Sequence, residues 1–306
     1  MTISIYACGG CGVNIAKMIK DIDADINFID TSVSNLKSVN SPNVFLVDAM
    51  DGAGKDRSVA YENFKDISGD VLLKYKPSEQ LNIVISSLGG GSGSVLGPMI
   101  TAKLIEQGKS VIVIGVNSKH SVIELNNTMK TLKTYRAMSS NIAKPISMYY
   151  IENNSRVEAD RQALHFVNLL SLLTDKKVTE EFDNSDLKSF LYFDKVTAND
   201  PTLSILEVSA NDASMPQKGT SIVGTILITK NKASGIQGTT PEYLSTCIVS
   251  DADYENDDIR LNSVLGKFSI ILEDLEKDAQ ALADAKRVNK IKDVEVQASN
   301  SHGVFL

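Results

Sequence analysis

Through the first half of the chain, short apolar runs alternate with stretches of helical period. Residues 3–6, 26–29, 44–47, 81–85, 111–114 and 146–151 are rich in Ile and Val, and most of them lack a polar face. Such runs read as strands buried on both sides. Between them, residues 15–22, 71–75, 95–104 and a segment ending near 132 have the spacing of helices. The alternation predicts an α/β architecture, a parallel sheet covered on both faces.

The pattern changes at residues 157–173. Ala163, Leu164, Phe166, Val167, Leu169, Leu170, Leu172 and Leu173 leave almost no polar face, so this helix is expected to be a buried central rod between two domains. Its start carries Asn153, Asn154, Arg156, Glu158 and Asp160, and that end is expected at the rim where the strands finish. Strand candidates at 203–208, 222–228 and 243–249 lack repeated long helices between them, which predicts a smaller mixed α/β domain beginning near Asp183. Residues 257–287 read as one long amphipathic helix through Leu261, Val264, Leu265, Phe268, Ile271, Leu272 and Leu275. Residues 293–306 read as a disordered tail. The expected division is a larger domain (1–155), central helix and linker (156–182), second domain (183–256), and C-terminal helix and tail (257–306).

Glycines mark where the chemistry lies. Gly89-Gly90-Gly91-Ser92-Gly93-Ser94 stands between a strand and a helix, where close backbone approach, two hydroxyls and a helix N-terminus suit a phosphate. A flexible linker, the bland reading of a Gly/Ser run, is not expected inside one compact strand-to-helix segment. A second loop, Gly9-Gly10-Cys11-Gly12-Val13-Asn14, follows the first strand, and Asp30 ends the next one about twenty residues on. That spacing resembles a dinucleotide fingerprint, but Ile15 stands where a small residue belongs. Gly52-Ala53-Gly54-Lys55-Asp56 is not a Walker loop, because Asp56 replaces the Ser or Thr that magnesium needs. It reads equally as a third turn on the same rim or as a surface loop. In such sheets ligands bind beyond the carboxyl ends of the strands, where all three segments fall.

Composition narrows the classes. A net charge of −7 with no basic stripe argues against direct, sequence-independent nucleic-acid binding. No run reaches transmembrane length and the chain starts without a basic, apolar leader, so a cytoplasmic protein with no membrane partner is expected. Cys8, Cys11 and Cys247 are too few for a disulfide framework. Cys8 and Cys11 have the spacing of a redox pair or half a zinc site, yet no second pair accompanies them and His120, His165 and His302 are scattered, so no metal ligands are assigned.

The run from Gly89 to Ser94 resembles the signature of the tubulin and FtsZ superfamily, and Gly10-Cys11-Gly12-Val13-Asn14 looks like its first nucleotide loop. The compact length and the short loop before the central helix look most like phage-encoded tubulins, the PhuZ group. The resemblance covers nearly the whole chain. It implies a GTPase that binds GTP or GDP with Mg2+ and assembles with itself, head to tail, into filaments. Those filaments would position the phage DNA compartment in the host bacterial cytoplasm. It also implies phosphate contacts from Gly89, Gly90, Gly91, Ser92, Gly93 and Ser94, supported by Gly10, Cys11, Gly12 and Asn14, and γ-phosphate sensing by Gly52 and Gly54. Lys55 and Asp56 depart from the family's small and amide residues there. Glu124 matches a ribose-binding glutamate, although Thr128 replaces an FtsZ arginine one turn on. Asp160 matches the group that reads guanine, whose N1 and N2 donors adenine lacks.

Asp183 and Asp186 match the Asp-x-x-Asp of the family's catalytic loop, with Glu181 where Asn is common. A rod from 157 to 175 spans roughly 27 Å at 1.5 Å per residue, too far for these carboxylates to reach their own nucleotide. They would act on a stacked neighbour, and such contacts propagate into an open filament. A solvated turn or helix cap is the structural alternative. The resemblance also implies that residues 293–306, and the acidic run 251–258, contact the next subunit. Two other readings stay open: an NAD(P)-dependent oxidoreductase, and a nucleotide-binding filament protein without hydrolysis.

Overall fold

The computed structural model describes residues 3–47, 52–64, 67–211, 216–232, 234–236, 238, 240–250 and 258–299. The chain runs β1 (Ile3–Cys8), α1 (Gly9–Ala16), β2 (Ala24–Asp30), α2 (Val33–Leu36), β3 (Val44–Leu46), α3 (Arg57–Phe64), α4 (Ile67–Lys74), β4 (Leu81–Ser87), α5 (Gly93–Glu106), β5 (Val111–Val116), α6 (Val122–Ile142) and β6 (Ile146–Ile151). It continues through α7 (Arg156–Thr174), β7 (Thr179–Glu180), α8 (Asn184–Leu191), β8 (Leu203–Ala210), β9 (Ser221–Thr229), β10 (Tyr243–Val249), β11 (Ile259–Leu265) and α9 (Lys267–Ser299).

The six strands of the first half pair in parallel in the order β3-β2-β1-β4-β5-β6. The order reverses between β1 and β4, which opens a crevice at their carboxyl ends. Strand alternation divides the core. Ile3, Ile5, Ile83, Ile85, Ile112 and Ile114 pack on one face with Val13 of α1 and Phe166 and Leu170 of α7. Tyr6, Val84 and Val113 pack on the other with Leu96 and Leu104 of α5, Leu132 of α6 and Phe268 of α9. Both faces are covered, as the continuous apolar strands require.

Four sequence-based expectations need correction. Residues 259–265 form β11, not the start of a helix, and β11 lies antiparallel between β8 and β9. Leu261, Val264, Leu265 and Phe268 match helical spacing, but the first three lie in a strand that is buried along most of its length. Gly266, at φ +82°, turns the chain from β11 into α9. Leu261 is fully buried, so Leu261→Ala is expected to cost about 3 kcal/mol, read as a lower urea midpoint.

Second, α7 is not apolar all round in its packing. Val157 is 79% exposed, and Leu169 and Leu172 border an open cleft of about 680 Å³ between α7 and the edges of β6, β8 and β11. Third, residues 293–299 continue α9 as helix instead of a disordered tail, while 300–306 and 251–257 lie outside the described residues. Fourth, α1 begins at Gly9 and ends at Ala16, so the first glycine loop is itself the first turn of the helix expected at 15–22.

Candidate nucleotide site

A cleft of about 300 Å³ opens at the carboxyl ends of β1, β2 and β4. Helices α1 and α5 both start there, and neither Cys8 nor Ser92, their N-cap residues, caps its helix with the side chain. By contrast, Ser121 caps α6 and Asp183 caps α8. Two helix N-termini without side-chain caps bring unpaired N–H groups and positive dipole ends to one place, which is chemistry for an anion. The loops touch backbone to backbone: Gly9 has φ +72°, and a Cβ on it would lie 2.8 Å from the Gly93 nitrogen.

Of the residues expected at the site, Gly10, Cys11, Gly52, Gly90, Gly91, Ser92 and Gly93 line this cleft. The 52–55 turn is therefore a third turn on the rim. The Ser92 hydroxyl is 2.8 Å from that of Thr31. Ser94 is different: its buried hydroxyl donates to the Gly90 carbonyl and, at 3.0 Å, to that of Gly91. It shapes the loop and has no donor left for a ligand, a correction to the two-serine reading. Gly12 lies beneath, packed against the Ile85 carbonyl of β4, and Gly54, Gly89 and Asn14 do not line the cleft.

Asp160, one turn into α7, also lies outside the lining, 3.7 Å from Arg156. Burial raises its carboxyl above the usual range, with Arg156 opposing. Its charge acts on Cys11, whose thiol is pushed up to about 12, first by burial and then by Asp160. Cys11 is thus a protonated lining residue, not a nucleophile. Glu124 is held away from the cleft by Lys55 at 2.8 Å and by the hydroxyls of Ser118 and Ser121 at 3.1 and 3.2 Å. Burial would raise its carboxyl, but those donors and the Lys55 charge hold it below the ordinary range.

Several lining residues escaped the sequence reading. Thr31, Ser32 and Asn35 join the wall unforeseen, beside Asp30, Ala53 and Ser87. Asp30 does not stand ready for a ribose. Its carboxylate accepts from the Thr31 amide and from Asn35, each at 2.7 Å. The signal for Asn35 was its place in the short helix α2 that follows directly on the strand ending at Asp30.

Asp183 and Asp186 lie beyond the far end of α7. They form a capping box on α8: Asp183 accepts from the amides of Ser185 and Asp186 at 2.6 and 3.1 Å, and Asp186 accepts from the Asp183 amide at 3.0 Å. The Tyr243 hydroxyl donates to Asp186 at 3.4 Å. Amide hydrogen bonds, that of Asp186 foremost, hold Asp183 below the usual carboxylate range. Among the described residues no cluster of three His, Cys, Asp or Glu side chains is arranged to hold a metal, and no helix is long and apolar enough to cross a membrane.

Known proteins share this arrangement. The phage tubulin-like protein of Pseudomonas phage PhiPA3 is 32% identical over 229 residues, spanning 73% of this chain and 70% of its own. The chain belongs to the phage tubulin-like proteins. A TubZ protofilament structure from bacteriophage PhiKZ matches this phage tubulin-like chain with a TM-score of 0.84 at 25% identity, over 94% of this chain and 92% of the other. The structure of the phage tubulin PhuZ with GDP matches in fold with a TM-score of 0.82, over 94% and 93% of the two chains at 24% identity. No protein-family model matches the sequence.

Proposed function

We propose that this phage tubulin-like protein binds and hydrolyses GTP and that hydrolysis requires head-to-tail assembly. The observation that carries the reading is the convergence of the α1 and α5 N-termini on one glycine-lined cleft, with Asp183 and Asp186 beyond the other end of a 19-residue helix. A helix of that length spans about 28 Å, so the second half of the site must come from a neighbour. The filament and GDP-bound states of the TubZ and PhuZ relatives support the same reading.

In this reading the amides of residues 9–11 and 90–93 hold the phosphates, with Asn14 and Gly54 beside them, and Asp160, beyond Cys11, accepts from guanine. Mg2+ would come with the nucleotide, held by phosphate oxygens and water, since the Asp30 carboxylate in the cleft wall is already taken by Thr31 and Asn35. It would neutralise charge that develops on the phosphates. Residues 1–155 would form the nucleotide-binding part, 156–182 the connector, and the part from 183 would activate the next subunit. The tail would dock on a neighbour, and the filament would position the phage DNA compartment in the infected cell.

Phosphate release measured against protein concentration, beside light scattering, tests the proposal. Release is expected only above the concentration at which scattering appears. Release linear in protein from the lowest concentration would mean that one chain completes the site. Asp160→Ala is expected to weaken GTP about 10- to 100-fold and leave ATP unchanged, measured by equilibrium binding. Truncation after residue 292 is expected to raise the critical concentration for assembly; an unchanged value removes the tail from the contact.

A further inference from the structure

Asp183 and Asp186 belong to the first turn of α8, which lies open to solvent. Asp183 and Ser185 are exposed, whereas Leu187, Phe190 and Leu191 anchor the later turns in the core. The capping box fixes the two aspartates to each other, not to the rest of the molecule. Among the described residues, two side chains from outside α8 reach this turn, one from each half of the chain. From the second half, the Tyr243 hydroxyl donates to the Asp186 carbonyl and carboxylate at 3.3 and 3.4 Å, both long for an O–H donor. From the first half, the Gln80 side-chain amide donates to the Asn184 side-chain oxygen at 3.0 Å, across 104 residues of sequence.

Gln80 stands on a firm support. It lies in the turn before β4, and fully buried Asn82 organises that turn. The Asn82 side chain accepts from the Ser78 amide at 2.9 Å and donates to the Ser78 and Ser110 carbonyls at 3.0 and 3.1 Å. The Gln80 backbone amide donates to the Ser78 hydroxyl at 3.0 Å. At the other end of α8, the hydroxyl of its C-cap residue Tyr192 donates to the Lys109 carbonyl, just before β5. Helix α8 is thus fastened at both ends to the amino-terminal edge of the parallel sheet.

On the reading of Asp183 and Asp186 as the half of the site offered to a neighbour, we propose that Gln80 is the positioning residue that sets their place, acting through Asn184. A carboxylate acts on water only within hydrogen-bond reach, so a shift of about 1 Å in this turn costs rate. It does not cost assembly, because the buried face of α8 stays in the core. Without the Gln80 bond, the turn would keep only its long Tyr243 contacts among the described residues.

The test uses the full chain and reads phosphate release per assembled subunit, critical concentration by light scattering, and GTP affinity by equilibrium binding. Gln80→Ala is expected to slow release about 10-fold, the worth of one hydrogen bond, with critical concentration and GTP affinity within about twofold of wild type. Asn184→Ala is expected to do the same, and the double variant to be no slower than either, because all three remove one contact. Asn184→Asp keeps an acceptor for Gln80 and is expected to retain most of the rate. Unchanged release per assembled subunit in Gln80→Ala, whatever its critical concentration, or single losses that multiply in the double variant, overturns the assignment of Gln80 and leaves the shared site standing. Release without an assembly threshold in the wild type overturns the shared site and the assignment with it.

Discussion

Asp186→Asn is expected to slow phosphate release about 10²- to 10³-fold while its filaments scatter light as the wild type's do. Asn is the informative replacement because the proposal gives this carboxylate a second role beside its cap. One oxygen accepts from the Asp183 amide and so closes the cap of α8. Asparagine keeps an acceptor for that bond and removes the charge, whereas alanine removes both, with a cap cost of under about 1 kcal/mol. Unchanged release by the Asn variant would make the pair a structural cap and nothing more.

The two aspartates are not equal in this scheme. Asp183, exposed and held low by amide hydrogen bonds, is a weak base. In the proposed mechanism it would contribute orientation and negative charge to an attacking water, not proton affinity. The sign for stability follows. A carboxylate whose folded value is depressed stabilises the fold above its unfolded value near 3.8, and that contribution is lost as pH falls through the lower, folded value. Between pH 8 and pH 5 Asp183 stays ionised, so any fall in turnover across that range comes from another group.

Gly9→Ala is expected to weaken GTP about 100-fold with the chain still folded. The left-handed backbone at this position costs a side chain about 1 kcal/mol. The added methyl would also stand 2.8 Å from the Gly93 nitrogen, with backbone on both sides and no flexible group to yield. The two loops must part by a few tenths of an ångström, and amides from both then lose their aim at one phosphate group. Losing one or two charge-assisted hydrogen bonds corresponds to a loss of that size. Near-normal GTP binding by this variant would show that the two loops do not act on the same ligand.

The strands of the first half were readable because the central ones, β1, β4 and β5, are buried on both faces and therefore mostly apolar. The same burial hid β11. Its polar Arg260, Asn262 and Ser263 are buried too, while Leu261, Val264 and Leu265 match a helical stripe as well as a strand, and the pairing with β8 and β9 that decides between them comes from residues far apart in sequence. The resemblance to a dinucleotide fingerprint has a physical origin too. The strand order around β1 is that of a doubly wound sheet, and Asp30 ends β2 where a ribose carboxylate would sit. The glycine loop after β4 forms the other wall of the crevice, and Thr31 and Asn35 occupy the Asp30 carboxylate. Glu124 was named through the family resemblance and Ser94 through its place in the glycine loop. Their partners, Lys55 in one case and the loop's own carbonyls in the other, depend on side-chain direction, which spacing does not encode.

The β6–β8 seam joins the two halves of the molecule. Ile146 to Tyr149 pair in parallel with Leu203 to Leu206, so the ladder runs unbroken from β3 to β7 across all eleven strands of the described sheet. A subunit built this way has no free hinge between its halves. In the proposed filament it would behave as an elastic plate: load applied at one end would be carried through continuous backbone hydrogen bonds, and bending would appear as a small change of twist shared among many strands.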